Sequence, residues 1–151
     1  IPAEPLFRSV TAIQSYCQET NQTVPTEKGA IVRCVLESLA MEYRWVAEQL
    51  DRLIKKEHST IHIIGGGSQN RLLNQLTANT TGKTVVAGPV EATAIGNILV
   101  QAIAIGEIKS LAEGREIVSH SFAVETYQPE NVTAWDHAYE CYKKLKRERG
   151  M

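Results

Sequence analysis

The sequence predicts an α/β fold organised as strand–turn–helix–strand–helix, with a sheet left incomplete by the strands that can be recognised. Three observations predict it. Thr60-Ile61-His62-Ile63-Ile64 is short, β-branched and almost wholly apolar, the pattern of a strand buried on both faces of a parallel sheet. It runs directly into Gly65-Gly66-Gly67-Ser68-Gln69-Asn70, after which Leu72, Leu73, Leu76 and Ala78 mark a helix that Gly82 ends. Thr84-Val85-Val86-Ala87 then repeats the strand pattern, and Gly88-Pro89 closes it. Two parallel strands are a poor sheet by themselves. Either further strands are hidden in the chain or the sheet continues outside it.

The flanking elements are read from apolar periodicity. Leu6, Val10, Ile13 and Cys17 predict a short first helix, and Asn21 to Pro25 a loop. Thr26 is placed to cap a long second helix with the stripe Ile31, Val35, Leu39, Val46, Leu50 and Leu53, carried to about Lys56. Glu91 opens a helix that is apolar nearly all round (Ala92, Ala94, Ile95, Ile98, Leu99, Ala102, Ile103), which predicts burial on most sides, with Gly96 allowing close packing. Gly106 stops it. Ser110-Leu111-Ala112-Glu113 is a capping box for a further helix. Phe122 to Tyr127 is a short strand or an extended arm. The last helix carries Trp135, Ala138, Tyr139, Tyr142 and Leu145. Its basic end, Lys143, Lys144, Lys146, Arg147 and Arg149, is expected to be solvated and to suit the helix dipole.

Composition bounds the function. The 151 residues suffice for one domain, and 43% hydrophobic with 22% charged residues describes a globular chain. A net charge of -1 lacks the basic excess that a nucleic-acid groove or an anionic membrane surface requires. No apolar stretch approaches the roughly 20 residues that cross a bilayer. Neither nucleic acid nor a membrane is therefore an expected partner. The start Ile1-Pro2-Ala3-Glu4, with no basic-then-apolar leader, is expected of a piece of a longer, cytoplasmic protein.

Cys17, Cys34 and Cys141 are too few for a disulfide scaffold and have no zinc-ligand spacing. Buried free thiols are expected, a Cys17–Cys34 pair between neighbouring helices being the alternative. The sequons at Asn21, Asn79 and Asn131 are incidental without a leader. His62 reads as a hydrogen-bonded core residue, and His120 and His137 have no partner at ligand spacing. Asp51 and Asp136 read as solvated helix positions, Glu37 as buried and hydrogen-bonded, and Glu91 as a carboxylate at a helix start.

The chemistry points to Gly65–Asn70. Consecutive glycines let the backbone take positive φ and let a ligand touch the main chain. The first amides of the following helix are unpaired and the dipole adds positive charge, which suits phosphate. No Gly-Lys-Ser/Thr follows, so this is not a P-loop, and Asn70 stands where a dinucleotide fingerprint has its third glycine. On physical grounds a phosphate or nucleotide site and a tight structural turn both remain open.

The run Ile63 to Asn79, followed by Gly82 and by Ala87-Gly88-Pro89-Val90-Glu91-Ala92-Thr93-Ala94-Ile95-Gly96-Asn97, resembles the C-terminal domain of the FGGY-family carbohydrate kinases. Ala30 to Ala40 resembles the family's second signature. Ser68-Gln69-Asn70 and Gly88-Pro89-Val90-Glu91-Ala92 are most similar to the branch that acts on rhamnulose. The resemblance implies a ribonuclease-H-like domain of the actin-like ATPase superfamily. It makes residues 1–151 the C-terminal, nucleotide-binding part of a two-domain kinase whose N-terminal sugar-binding domain lies outside the chain. It implies transfer of the γ-phosphate of MgATP to the 1-hydroxyl of L-rhamnulose, with Gly65, Gly66 and Gly67 close to the α-phosphate and ribose and Asn70 orienting the adenosine. The magnesium would be held mainly through ATP and the missing part.

The resemblance also implies that the catalytic aspartate lies upstream, so the chain carries no catalytic residue and by itself phosphorylates no sugar. The alternatives are a xylulo-, fuculo- or glycerol-phosphorylating member of the same family, and a non-catalytic interaction module whose apolar helix faces and open sheet mark a homodimer interface.

Overall fold

The computed structural model describes residues 4–148, with side chains from Ser9 onward. The Leu6 side chain and Arg149, at the ends of the first apolar stripe and of the last basic run, lie outside the described residues. The sheet has three short strands, β1 (Thr60–Ile63), β2 (Thr84–Ala87) and β3 (Glu125–Tyr127), in the order β1-β2-β3. β1 and β2 are parallel, Thr60 opposite Thr84 and Ile63 opposite Ala87. β3 runs antiparallel to β2, with Val85 opposite Tyr127 and Ala87 opposite Glu125. The segment expected as a strand or an arm is thus the third strand.

β2, paired on both edges, buries Val85 and Ala87. β1 pairs on one edge and is only half-buried, which corrects the expectation of a strand covered on both faces. His62 is exposed rather than a core residue, for the same reason.

The helices are α1 (Glu4–Glu19), α2 (Lys28–Ile54), α3 (Arg71–Thr81), α4 (Ala92–Ala104), α5 (Leu111–Ser121) and α6 (Val132–Glu148). Thr26 does not cap α2: the helix starts at Lys28 behind Glu27, which makes no side-chain cap, and it stops before Lys55, a left-handed residue at φ 53°. Gly82, left-handed at φ 66°, ends α3 as expected, its N–H donating to Ala78 O at 3.0 Å. The Ser110 half of the capping box at α5 forms, Oγ accepting from Glu113 N–H at 3.2 Å, while the Glu113 carboxylate accepts from Lys109 N–H at 2.8 Å, one residue earlier than the box requires.

The core lies where α2, α3 and α6 meet. α2 does not bury its apolar stripe there: Leu39, Val46, Leu50 and Leu53 are exposed, while Ala40 and Met41 are buried. The small Ala40 lets α3 come close enough for Thr80 Oγ1 to lie 3.2 Å from Ala40 O. α3 is a polar sequence that is nevertheless buried. Its threonine hydroxyls donate to carbonyls one turn back, Thr77 to Leu73 O at 2.7 Å and Thr80 to Leu76 O at 2.9 Å, so burial strands no hydroxyl.

Arg44 joins the three helices. Nη1 donates to Thr80 O at 2.8 Å and to Asp136 at 2.7 Å, Nε donates to Glu48 at 3.1 Å, and the guanidinium lies 4.2 Å from the centre of the buried Tyr139 ring. Tyr139 donates to Glu48 at 3.0 Å and stacks on Tyr142 with centroids 6.0 Å apart. The basic end of α6 is not all solvated: Lys146 sits 3.8 Å from the Trp45 ring centre and donates to Glu42 at 2.7 Å.

α4 contradicts its sequence. It buries no residue, and Ile98 and Val100 are 65% and 64% exposed, because α5 is its main neighbour among the described residues. Gly96 allows no close packing, since a Cβ there would meet nothing within 4 Å. The glycine that does so is Gly114 on α5, where a Cβ would lie 3.5 Å from Leu99.

Candidate functional site

β1 and β2 both end on one side of the sheet, and each runs into a glycine turn. β1 leads into a 3₁₀ turn, Gly65–Gln69, and β2 into Gly88-Pro89, whose peptide bond is cis. The turns are tied together: Gly88 N–H donates to Ile63 O at 2.8 Å and Gly65 N–H to Pro89 O at 3.2 Å. β3 begins at the same end, with Glu125 opposite Ala87.

The three glycines of the first turn do different things. Gly65 has φ +74°, a conformation that favours glycine, whereas Gly66 and Gly67 do not have positive φ. The chain's own geometry therefore does not require glycine at Gly66, where a Cβ would meet nothing within 4 Å. The carbonyl three residues before it, Ile63 O, accepts from Gly88, and the Gly66 N–H has no acceptor outside the turn among the described residues. Gly66 combines an open amide with bare main chain beside open space.

Asn70 ends the turn and caps α3, its Oδ1 accepting from Leu73 N–H at 3.1 Å. The buried Ser68 donates its hydroxyl to Gly65 O at 2.7 Å. Fully buried Asn74 donates Nδ2 to Ser68 O at 2.8 Å. At the rim, Arg71 Nη2 donates to Glu125 at 2.5 Å and the Tyr127 hydroxyl donates to the same carboxylate. The Tyr127 hydrogen bond, and then that of Arg71, hold the Glu125 carboxyl below the usual glutamate range, while Glu125 pushes the Tyr127 phenol up. The structure brings Gly65, Gly66, Gly67 and Asn70 into one turn. Sequence reasoning missed Ser68, Asn74, Glu125 and Tyr127. The six-residue step from Ser68 to Asn74 crosses from a 3₁₀ turn into an α-helix and follows neither period, and β3 could not be placed without its partner.

The other singled-out residues lie elsewhere. Asp51 is not a solvated helix position: Lys83 Nζ donates to it at 2.8 Å, and His58 Nδ1 lies 2.9 Å away. These contacts, that of Lys83 first, bring its carboxyl down to about 2. Asp136 is exposed but engaged by Arg44. Glu37 is half-exposed rather than buried and pairs with Arg33 one turn back. Glu91 stands just before α4 and makes no cap bond. His120 and His137 are exposed.

Cys17 is buried, Cys34 half-buried and Cys141 exposed, which corrects the expectation of burial for the last. All three are free, and burial, followed by the neighbouring Cys17, raises the Cys34 thiol. Among the described residues no cluster of His, Cys, Asp and Glu could hold a metal, and no helix is long and apolar enough to cross a membrane.

The model of the FGGY family of carbohydrate kinases, C-terminal domain, matches residues 3–105, and the chain belongs to this family. Within it, the chain is similar to rhamnulokinases. It is 51% identical to that of Bacteroides thetaiotaomicron over 136 residues (90% of this chain, 28% of that protein) and 44% identical to that of Enterococcus faecalis over 138 residues (89% and 28%). A rhamnulokinase of Oceanobacillus iheyensis is 47% identical over 118 residues, 78% of this chain and 25% of that protein. The chain thus spans little more than a quarter of the length of these relatives. The fold matches the crystal structure of xylulose kinase from Rhodospirillum rubrum with a TM-score of 0.64 at 20% identity, over 83% of this chain and 26% of that one. The α/β domain is the actin-like ATPase fold with part of its sheet.

Proposed function

We propose that the full-length polypeptide carrying this chain is an ATP-dependent sugar kinase that transfers the γ-phosphate of MgATP to the 1-hydroxyl of L-rhamnulose. In this proposal residues 1–151 are the nucleotide-holding part of its C-terminal domain, and the sugar-binding domain lies outside the chain. The family, and identities of 44–51% to rhamnulokinases, support this activity. The observation that carries the nucleotide assignment is Gly66, whose amide has no acceptor outside the turn among the described residues and beside which there is open space where a Cβ would stand. These residues fit an anionic ligand that approaches main chain.

When bound, MgATP supplies the transferable phosphoryl group and the charge-neutralising metal. The chain's own residues bind and orient. Gly65, Gly66 and Gly67 would hold the nucleotide on the side of its α-phosphate and ribose, and Asn70, whose Oδ1 caps α3, would orient the adenosine. Positioning of this kind is a large part of catalysis of phosphoryl transfer. No residue here takes the sugar's proton: Asp51 is committed to Lys83 and His58, and Asp136 to Arg44. The chain alone accordingly phosphorylates nothing, and its exposed apolar helix faces and open β1 edge favour self-association, as a homodimer. The enzyme is cytoplasmic.

Gly66→Val fits the chain sterically and fills the space offered to the ligand. In the full-length polypeptide it is expected to weaken ATP binding by more than about tenfold, read by calorimetric titration, with unchanged circular dichroism. ATP affinity equal to the parent's rejects the assignment. A panel of L-rhamnulose, xylulose, fuculose and glycerol tests the substrate. The exposed apolar faces favour one second reading, an interaction module without activity, and failure to bind a fluorescent ATP analogue would select it.

A further inference from the structure

Asn74 is a polar side chain at full burial beneath the glycine turn. Its amide donates Nδ2 to Ser68 O at 2.8 Å and lies beside the Tyr127 hydroxyl. Oδ1 is left buried with no partner among the described residues. The orientation is not arbitrary, because turning the amide over would set Oδ1 against the Ser68 carbonyl oxygen. A buried acceptor without a partner is a cost to the fold, set against the hydrogen bond that the same amide gives Ser68 O. The unpaired Oδ1 itself has no account in the stability of the fold.

What the amide does supply is geometry. It fixes the Ser68 carbonyl, the Ser68 hydroxyl fixes the Gly65 carbonyl at 2.7 Å, and both groups belong to the turn that carries Gly66. Beside the amide, the Tyr127 hydroxyl of β3 donates to Glu125, which Arg71 holds from the first residue of α3. The start of α3, just after the turn, is thereby braced against β3, on the other side of β2 from the strand that precedes the turn.

We infer that Asn74 is a positioning residue for the nucleotide: with Ser68 and Tyr127 it sets the shape in which the Gly65–Gln69 main chain receives ATP. This rests on the nucleotide assignment of the turn.

The test is steady-state kinetics of the full-length polypeptide with ATP and sugar varied separately, alongside thermal melts. Asn74→Leu is expected to raise the KM for ATP about tenfold, with kcat and the sugar KM within about twofold, while a fall in the melting temperature reports only the donor that Ser68 O loses. Ser68→Ala and Tyr127→Phe are expected to raise the ATP KM by about threefold each. A folded Asn74→Leu protein with the parent's ATP KM overturns the inference. If Asn74→Leu does not fold, Ser68→Ala and Tyr127→Phe decide, and parent-like ATP KM in both overturns it. Gly66→Val separates the two levels. If it abolishes ATP binding while the brace variants change nothing, only the brace falls. If it too binds ATP normally, the nucleotide assignment falls and this inference with it.

Discussion

α3 and α4 each follow a strand and a glycine turn, yet they meet opposite environments. α3 reads Arg-Leu-Leu-Asn-Gln-Leu-Thr-Ala-Asn-Thr-Thr and buries Asn74, Leu76, Thr77, Ala78, Asn79 and Thr80. α4 reads Ala-Thr-Ala-Ile-Gly-Asn-Ile-Leu-Val-Gln-Ala-Ile-Ala and buries nothing. The polar helix is inside because α2, β2 and α6 are present to cover it, and because its threonine hydroxyls find carbonyls within reach. The apolar helix is outside because the chain supplies it with little besides α5. Composition reports what a helix can be packed against, whereas burial reports whether that partner is in the same chain.

The contrast is broken most severely at Tyr139. This side chain is wholly buried on α6 and carries the stack on Tyr142, the Arg44 contact and the bond to Glu48. Tyr139→Ala is expected to destabilise the chain by about 3–5 kcal/mol in denaturant unfolding. Arg44→Ala comes next, at about 2 kcal/mol, since it strips partners from Thr80 O, Asp136 and Glu48 together. Arg44→Lys is expected to recover less than half of that loss, because an ammonium cannot hold three acceptors and lie flat on a tyrosine ring. A Tyr139→Ala loss of less than about 1 kcal/mol contradicts the placement of the core at this junction.

Much of this was legible in the sequence, and the failures share one cause. β1, the turn, α3, β2 and the caps at Gly82 and Ser110 are local patterns, and they stand where periodicity and turn chemistry put them. Gly65, Gly66, Gly67 and Asn70 were readable as one turn because they are consecutive or nearly so. The buried face of α2 was not: its stripe of Leu39, Val46, Leu50 and Leu53 announces a core, whereas Ala40 permits the approach that α3 makes. His62 and α4 failed for the same reason, since their patterns fit surroundings that the chain does not provide. Asn74 and Tyr127 are brought together by the antiparallel pairing of β3, a long-range event with no local signal.

A smaller effect belongs to the end of α2. Asp51, clasped by Lys83 and His58, has its carboxyl lowered from an ordinary 3.8 to about 2. A carboxyl lowered in the folded state stabilises that state above the unfolded value and ceases to do so as the pH falls through the folded one. The melting temperature of the parent is thus expected to fall more steeply between about pH 4 and pH 2 than that of Asp51→Asn, and the two curves are expected to run parallel above about pH 5. Parallel curves throughout contradict the clasp. The test is the difference between the two slopes, in which contributions common to both proteins cancel.

The smallest effect is the one that sharpens the contrast most. Ile98 is 65% exposed on α4, so Ile98→Ser removes little buried surface and is expected to change the stability of this chain by no more than about 0.5 kcal/mol. The relatives are more than three times as long as the stretch they share with it, so a longer polypeptide has material with which to cover that face. There Ile98→Ser is expected to cost about 2 kcal/mol, read as a shift in the denaturant midpoint of the domain. The same substitution then reports two environments for one residue. A cost near zero in both proteins means that α4 stays bare, and its apolar surface then needs a partner other than its own polypeptide.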